Sequence, residues 1–471
     1  MIDRNEILEL AGALKLLPSI VEKDYVLGWL LAGIDVHPVL GQSWVFKGGT
    51  CLKKCYFETY RFSEDLDFTL QDAGHLEEEF LINALGQVVE WVATESGLTL
   101  PAAEIRLDFY ENPRGRRSCQ GRIAYRGPVS PPGGGWPKIK LDLTADERLV
   151  LAPARNDVFH PYSDRPVAGI RSQCYAYEEA FAEKVRALGE RTRPRDLYDV
   201  VNLYRHGDSR PAASVLRDVL RQKCEYKAIK VPRLADLEPH MADLKAMWEN
   251  MLAHQLPILP PIEGFLDELP EIFSWIEGEA EFPQRLPMAL AVGDSTIRDR
   301  VLPLAIPLRA RAPLEIIRFA AANRLCIDLA YGGGVRRIEP YSLRRTSEGN
   351  YLLHAVRRSD AENRSYRIDR IESAVVTNER FQPRHLIELT SSGPQPVPQV
   401  ATRNAVTWQS PQSARAGSKG HRRSGPIYIF RCPVCQKTFE RASYDGGLNP
   451  HKNRQGYGCA GRTGQFVKQR S

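Results

Sequence analysis

Apolar residues recur at three- and four-residue spacing over Glu6–Leu17, Glu22–Ile34 and His75–Ser96, which predicts three helices. Short apolar or alternating stretches predict strands at Trp44–Phe46, Phe62–Leu70, Ile105–Phe109, Gly121–Tyr125 and Ile139–Leu143. The first strand ends at Gly48-Gly49, and a helix is expected from about Thr50 to Phe57. Pro131-Pro132-Gly133-Gly134-Gly135 reads as a loop between the last two strands. Helices are expected around Glu178–Leu188 and Pro194–Tyr204, with others to about Trp275. Residues 1–280 therefore read as one α/β (α+β) domain, a mixed sheet with flanking helices. Residues 281–309 read as a connector, and 310–390 as a second compact unit. That unit has one helix, Leu314–Asn323, then strands at Leu325–Tyr331, Arg337–Leu343, Tyr351–Arg357, Ser365–Ile368 and Ile371–Thr377. Residues 391–425 are rich in Ser, Pro, Gln, Arg and Gly and read as a flexible linker before a small cysteine-containing module at 426–463. No internal repeat is visible.

Composition narrows the class. The chain has 471 residues, 43% hydrophobic and 26% charged, as in ordinary globular proteins. Its longest apolar run, Tyr25–Ile34, is far short of the roughly 18–20 residues that a membrane span needs. The first residues, Met1-Ile2-Asp3-Arg4-Asn5-Glu6, lack a basic leader before an apolar core, so no signal peptide and a cytoplasmic location are expected. The nine cysteines are odd in number; Cys119, Cys174, Cys224 and Cys326 stand singly in apolar surroundings, which is no disulfide framework. The net charge of +6 is uneven: residues 401–471 carry 13 Lys and Arg against 2 Asp and Glu, leaving the rest of the chain slightly acidic. A basic tail favours contact with a polyanion.

The sharpest chemistry lies in Phe46-Lys47-Gly48-Gly49-Thr50-Cys51-Leu52 and Arg61-Phe62-Ser63-Glu64-Asp65-Leu66-Asp67-Phe68. A strand ends, two glycines allow close backbone approach to a phosphate, and a hydroxyl opens a helix whose free N–H groups favour anions. Asp65 and Asp67 are two apart on a strand and face the same side. In Ile139-Lys140-Leu141-Asp142-Leu143, Asp142 lies on the polar face, so an adjacent strand would bring it opposite the pair. Three carboxylates suit hard Mg²⁺ shared with substrate phosphates. Lys184 lies near Glu179 and Glu183 on one predicted helix, and reads either as a phosphate contact or as a surface ion pair with those glutamates. Asp196 and Asp199 are three apart near the start of the next helix, behind Pro194. Arg191, Arg193 and Arg195 suit triphosphate or an RNA backbone, or form a basic turn.

These stretches resemble the AbiEii/AbiGii toxin family of the nucleotidyltransferase superfamily over about residues 15–275. The matching segments are Val21-Glu22-Lys23-Asp24-Tyr25, the two motifs above, the helix from Tyr177 to Leu188 and Arg193-Pro194-Arg195-Asp196-Leu197-Tyr198-Asp199-Val200. The resemblance implies catalytic roles for Asp65, Asp67, Asp142, Lys184, Asp196 and Asp199. It implies nucleotide contacts from Gly48, Gly49, Thr50, Ser63, Lys184 and Arg195, an NTP·Mg²⁺ donor, tRNA as acceptor and a cognate antitoxin. The alternatives are an NTP-dependent modifier of a protein or of itself, and a nucleic-acid-binding regulator with an inactive transferase fold.

Residues 312–390 resemble the WYL domain of bacterial regulators, a small SH3-like β-barrel. The matching residues are Ala330-Tyr331, Arg337-Ile338-Glu339-Pro340-Tyr341, Tyr351-Leu352-Leu353 and Tyr366-Arg367-Ile368-Asp369-Arg370-Ile371. The naming triplet stands as Asn350-Tyr351-Leu352, without its Trp. The resemblance implies a sensor binding nucleotide or single-stranded nucleic acid through Arg337, Tyr351, Arg367 and Arg370, with Arg336 and Arg357 also available.

Near the C-terminus, Cys432-Pro433-Val434-Cys435 is followed by His451 and Cys459, a Cys-x2-Cys-x15-His-x7-Cys spacing. Four N and S donors suit closed, tetrahedral, structural Zn²⁺. Phe439, Tyr444 and Tyr457 among Arg and Lys residues could stack and clamp nucleic acid or fill the module's own core.

Overall fold

A computed structural model of the chain describes residues 1–57, 60–112, 114–130, 133, 135–206, 210–281, 285–289, 291–297, 308–389, 427–441, 447–448, 451–452, 458–461 and 463–470. The fold is mixed α/β, with several sheets and flanking helices. It divides into two compact units, Met1–Pro411 and Gln412–Ser471.

The first unit is built on a seven-stranded sheet. Its strands are β1 (Trp44–Lys47), β2 (Asp65–Leu70), β3 (Arg106–Glu111), β4 (Arg117–Ala124), β5 (Lys138–Thr144), β6 (Ala154–Asp157) and β7 (Arg171–Cys174). The order is β3-β4-β5-β2-β1-β7-β6. The centre is mixed: β2 runs antiparallel to β1 but parallel to β5, and β1 runs parallel to β7. The helix Pro18–Val36 explains why the core forms where it does. Pro18 occupies its first turn, where a missing N–H costs nothing. From Tyr25 to Gly33 every residue is buried. Gly33 lets it approach the helix Glu78–Ser96, since a Cβ there would meet Val92 at 2.8 Å and Val88 at 3.0 Å.

The polar residues of this buried helix do structural work. Glu22 accepts from the backbone N–H groups of Val129 and Ser130 at 2.6 and 3.0 Å, which fixes the loop after β4. Asp24 binds Lys54 at 2.7 Å and the Tyr162 hydroxyl at 3.0 Å. Lys23 reaches Glu64, just ahead of β2, at 2.5 Å. The Glu-Lys-Asp run thus ties three segments around the β1–β2 region.

A second sheet belongs to the same unit. It comprises β8 (Ser295–Thr296), β9 (Leu325–Tyr331), β10 (Gly334–Arg345), β11 (Tyr351–Arg357), β12 (Asn363–Arg367) and β13 (Ile371–Arg380). Its order is β12-β11-β10-β9-β13, with β8 on β10. Residues 295–296, which the sequence pattern places in a connector, are therefore a strand of this sheet. The helix ahead of it runs Leu308–Ala322, longer at its start than expected. The helices of the first part meet the start of the second sheet through buried ionic contacts: Glu268 binds Arg205 at 2.7 Å and Arg324, just ahead of β9, at 2.6 Å. Burial alone would raise the Glu268 pKa; Arg205 and Arg324 outweigh it and hold the carboxyl below its ordinary range.

The second unit contains β14 (Ile427–Arg431), β15 (Thr438–Arg441), β16 (His451–Lys452), β17 (Gly458–Cys459) and β18 (Gln465–Arg470). β14 pairs with both β15 and β18, so the module extends past residue 463. The expected linker at 391–425 lies outside the described residues.

Glu268→Ala would leave two partly buried guanidinium groups facing each other. It should destabilise the first unit by about 3–5 kcal/mol in urea unfolding, the usual result of removing one partner from a buried pair. A loss below about 1 kcal/mol would mean that the cluster behaves as a solvated surface pair.

Candidate active site

Strand register builds the acidic part of the site. Asp65 and Asp67 alternate with Leu66 and Phe68, which have no solvent exposure and anchor β2 in the core. Asp67 lies opposite Lys47 on β1 and opposite Asp142 on β5. Asp142 lies in turn opposite Gln120 on β4, whose amide donates to it at 3.2 Å. One level thus crosses four strands as Gln120, Asp142, Asp67 and Lys47. Asp65 is one step along, opposite Lys140.

Like charges and burial raise the carboxyl pKa values. Asp67 is pushed up to about 6, first by burial and then by Asp142, against the pull of Lys47 and Lys184. Asp65 is raised by burial, with Asp142 adding to it and Lys140 opposing. Carboxylates so placed gain from a cation bound between them.

The glycine loop is shaped by its neighbours. Gly48 has φ +81° and lies so close to Asp67 that a Cβ would meet its Oδ2 at 2.0 Å. Both the backbone conformation and the space demand glycine there. At Gly49 a Cβ would meet Arg61 Nη2 at 2.5 Å. The Thr50 hydroxyl donates to the Asp65 carbonyl at 2.5 Å, so it ties the loop to β2 and is not free to face a phosphate. The expected single helix after the loop is a short turn, Gly48–Cys51, continued as a π-helical turn, Leu52–Tyr56. Ser63 is half-buried and its hydroxyl makes no hydrogen bond among the described residues.

Behind the loop stands a buried ionic hub. Asp199 accepts from Arg61 Nε and Nη2, each at 2.7 Å, and from the Tyr60 hydroxyl at 2.6 Å. Lys184 Nζ is 2.7 Å from the same carboxylate and 3.7 Å from Asp196. Burial would raise the Asp199 pKa, but Arg61 and Lys184 hold it far below the ordinary carboxylate range. Asp196 is clamped by Arg191 at 2.7 and 2.8 Å. Both aspartates are fully buried and taken up by cations, so what they offer the site is the position of Lys184 and Arg61. Glu179 and Glu183, the surface partners considered for Lys184, are engaged elsewhere: Glu179 with Lys223 at 2.8 Å, Glu183 with Arg186 at 2.5 Å. The long-range pairing of Lys184 with the next helix is invisible in local spacing.

Arg195 is half-buried and donates to the Met251 carbonyl at 3.3 Å, with no ion pair among the described residues. Burial and the neighbouring Arg61 lower its pKa, while Asp65, Glu64 and Asp199 oppose them. Lys140 is exposed and likewise has no carboxylate at ion-pair distance among the described residues. Arg61 received no role of its own in the sequence reading; its signal was the residue type, an arginine directly before the paired-aspartate strand.

The arginines of the second sheet are mostly not available. Arg337 is held by Asp328 at 2.8 Å and Glu379 at 3.0 Å, Arg367 by Asp369 at 2.8 Å, and Arg357 by Asp360. Arg336 donates to the carbonyls of Tyr331 and Gly334. Arg337 is bound on the β9–β13 side and Arg367 on edge strand β12, so the structure does not gather them into one cluster. Tyr351 is half-buried against the second core, and Arg370 is exposed without an ion pair among the described residues.

In the second unit, the Sγ atoms of Cys432, Cys435 and Cys459 lie within 4.8 Å of one another. Cys432 and Cys459 are 3.7 Å apart, and the Gly461 N–H donates to Cys459 Sγ at 3.4 Å. His451 is the register partner of Cys459, though its side chain lies outside the described residues. Another set of thiols also converges, Cys51, Cys55 and Cys174, although Cys174 reads from sequence as a lone apolar cysteine.

Comparison with known proteins places these features. The family described as "Nucleotidyl transferase AbiEii toxin, Type IV TA system" matches residues 29–275. No curated protein matches the chain. Among solved structures, proteasome accessory factor B/C (PafBC) of Arthrobacter aurescens is 14% identical over 78% of this chain and 74% of its own, with a TM-score of 0.16, too low to support an argument. The matched segment spans both aspartates of β2, Asp142, Lys184 and the Asp199 hub, and the chain belongs to the AbiEii nucleotidyltransferase toxin family of type IV toxin–antitoxin systems.

Proposed function

We propose that the chain transfers a nucleotidyl group from an NTP to an acceptor hydroxyl, with tRNA as the acceptor. The observation that carries this reading is the cross-strand row of Asp142 and Asp67, with Asp65 beside it, against a glycine loop too tight for any side chain. The donor set, all carboxylate oxygens, fits Mg²⁺. Among the described residues only cysteine sets converge within 4.8 Å, so the three carboxylates are spread wider than a single-ion cage and suit a pair of ions. Bound Mg²⁺ would supply activation of the acceptor hydroxyl and neutralisation of the leaving pyrophosphate.

The residues of the chain do the rest. Gly48 and Gly49 let the backbone approach the phosphates, and Lys184, oriented by Asp199, supplies a point charge to the triphosphate. The acceptor oxygen forms a bond to the α-phosphorus as the bond to pyrophosphate breaks. Arg195 and Lys140, both without ion pairs at the mouth of the acidic row, favour a polyanionic acceptor over a neutral protein surface. The same chemistry would serve growth arrest in a phage-defence setting, and a cognate antitoxin would restrain it.

The second sheet is read as a WYL-type sensor. Arg370 and Tyr351 are its accessible ligand contacts; Arg337 and Arg367 would have to exchange Asp328, Glu379 and Asp369 for a ligand's phosphates. The C-terminal module is read as a structural zinc site of Cys432, Cys435, His451 and Cys459. The 3.7 Å sulfur spacing fits an edge of a tetrahedron with Zn–S of about 2.3 Å and is far too long for a disulfide.

Incubation with each labelled NTP and Mg²⁺, with and without bulk tRNA, should label tRNA and release pyrophosphate. Label in protein alone would transfer the reading to a protein modifier. Asp65→Ala and Asp67→Ala should abolish transfer. Lys184→Ala should lower kcat/KM for NTP roughly ten- to a hundred-fold, as loss of one charge-assisted contact does; Arg61 still pairs with Asp199, so the fold should persist. An unchanged value would leave Lys184 a purely structural cation.

Asp67→Asn tests the site without turnover. The Asp67 pKa is raised in the fold from 3.8 to about 6, so the native state loses stability as pH rises from about 4 to about 6; the penalty is complete above that window and absent below it. In EDTA at pH 7.5 the variant should be more stable than the parent by about 1–2 kcal/mol, less than the full shift implies because the carboxylate keeps some water. The gain should vanish near pH 4 and shrink in saturating Mg²⁺. Equal stability at both pH values would show that Asp67 is not electrostatically strained.

The purified protein should contain one zinc per chain, lost in Cys459→Ser. Chelation should unfold the C-terminal module while leaving the transferase domain folded, because so small a unit lacks the apolar burial to hold itself. A metal-free, well-folded module would sink the zinc reading.

A further inference from the structure

We propose that Cys51, Cys55 and Cys174 form a binding site for a three-coordinate thiophilic ion of the trivalent arsenic and antimony class, directly behind the phosphate loop. All three thiols are fully buried, and their sulfurs lie within 4.8 Å of one another. Cys51 closes the short turn that carries Gly48, Gly49 and Thr50, and Cys55 lies in the π-helical turn Leu52–Tyr56. Such turns are frequent at functional sites. Cys174 comes from β7, opposite Phe46 on β1, so three separated positions in sequence meet at one point. A core that needed only bulk here could use any small apolar residue.

The surroundings decide the coordination number. The Tyr56 hydroxyl lies 3.8 Å from Cys174 Sγ, and it donates to the Tyr175 carbonyl at 2.5 Å. The cluster lies within the main hydrophobic core, and its neighbours there, such as Phe46 and Leu52, are apolar. Among the described residues no His, Asp, Glu or further Cys joins the three sulfurs, which suits a three-coordinate ion and disfavours Zn²⁺, which takes four ligands. Bonds of about 2.3 Å to a shared pyramidal centre put sulfurs roughly 3.5 Å apart, inside the 4.8 Å within which the three already lie.

Charge decides the valence. Three thiolates around a monovalent ion leave two negative charges in a dry core, and around a divalent ion one; a trivalent centre leaves none. Burying a net charge without a partner is costly, so the neutral adduct is favoured. The reaction balances without a redox step: arsenous acid exchanges three As–O bonds for three As–S bonds, and each thiol proton leaves with a hydroxide as water. The bound ion staples β7 to the helix turn behind Gly48-Gly49 and so restrains the phosphate loop.

The test uses the full-length chain with Cys432→Ser and Cys435→Ser, which removes the C-terminal thiol pair. Reduced protein is incubated with arsenite long enough for local opening, then weighed by native mass spectrometry. The expected result is one arsenic per chain with loss of three protons, and a raised Tm. The adduct should disappear in added Cys55→Ala and in added Cys174→Ala, and persist in added Cys224→Ala and Cys326→Ala. Affinity should fall by more than the roughly ten- to a hundred-fold that an outer-shell partner costs. Failure of the chain that keeps Cys51, Cys55 and Cys174 to take up arsenic overturns the proposal whatever the variants do. So does an adduct that survives Cys55→Ala. A loss of two protons without arsenic, under mild peroxide alone and blocking later uptake, would identify a disulfide pair in its place.

Discussion

Asp199 is the group on which the basic side of the site depends. It has no solvent, and its two oxygens receive four donor contacts from Arg61, Tyr60 and Lys184. Those residues come from the segment ahead of β2 and from the helix Tyr177–Arg191, while Asp199 itself lies on the helix Pro194–Arg205. One buried carboxylate therefore fixes the mutual positions of three segments. Removing it would leave Arg61 without a carboxylate in the core and Lys184 with only the more distant Asp196, a larger penalty than any single surface pair. The Arg61 so fixed fills the space a side chain at Gly49 would need, and the loop can then close on Asp67.

The acidic side rests on a different constraint, strand direction. β2 is antiparallel to β1 and parallel to β5, and this places Asp67 between Lys47 and Asp142. An alternation of two along each strand then sends the carboxylates to one face while Leu66, Phe68, Leu141 and Leu143 go into the core. This much is legible in the sequence, because period-two alternation is local: Ile139, Leu141 and Leu143 announce the buried face of β5, and Asp142 must take the other.

What could not be read is what depends on contacts across the chain. Strands β6 and β7 are four residues each, and Arg171-Ser172-Gln173-Cys174 has no apolar alternation to mark it. Lys184 has carboxylates near it in sequence, yet burial and the next helix decide its partners. The arginines of the second sheet look like a ligand cluster when counted along the chain. In three dimensions the cross-strand neighbour of Arg337 is Asp328, and Arg367 folds back on Asp369 two residues on. Charge pairing across a sheet is a property of register, and register is set by which strands meet.

The helix Pro194–Arg205 joins these two lines of reasoning. Its first turn carries Asp196 and Asp199 into the hub, and its last residue, Arg205, binds Glu268 and so reaches Arg324 at the start of the second sheet. Arg324 sits in the left-handed region, φ +55°, and its carbonyl accepts from Phe381 at the far end of β13. A rigid helix with a buried ion cluster at each end transmits displacement poorly by bending but well by sliding as a unit. The helix therefore ties the positions of Lys184 and Arg61 to those of Glu268 and Arg324.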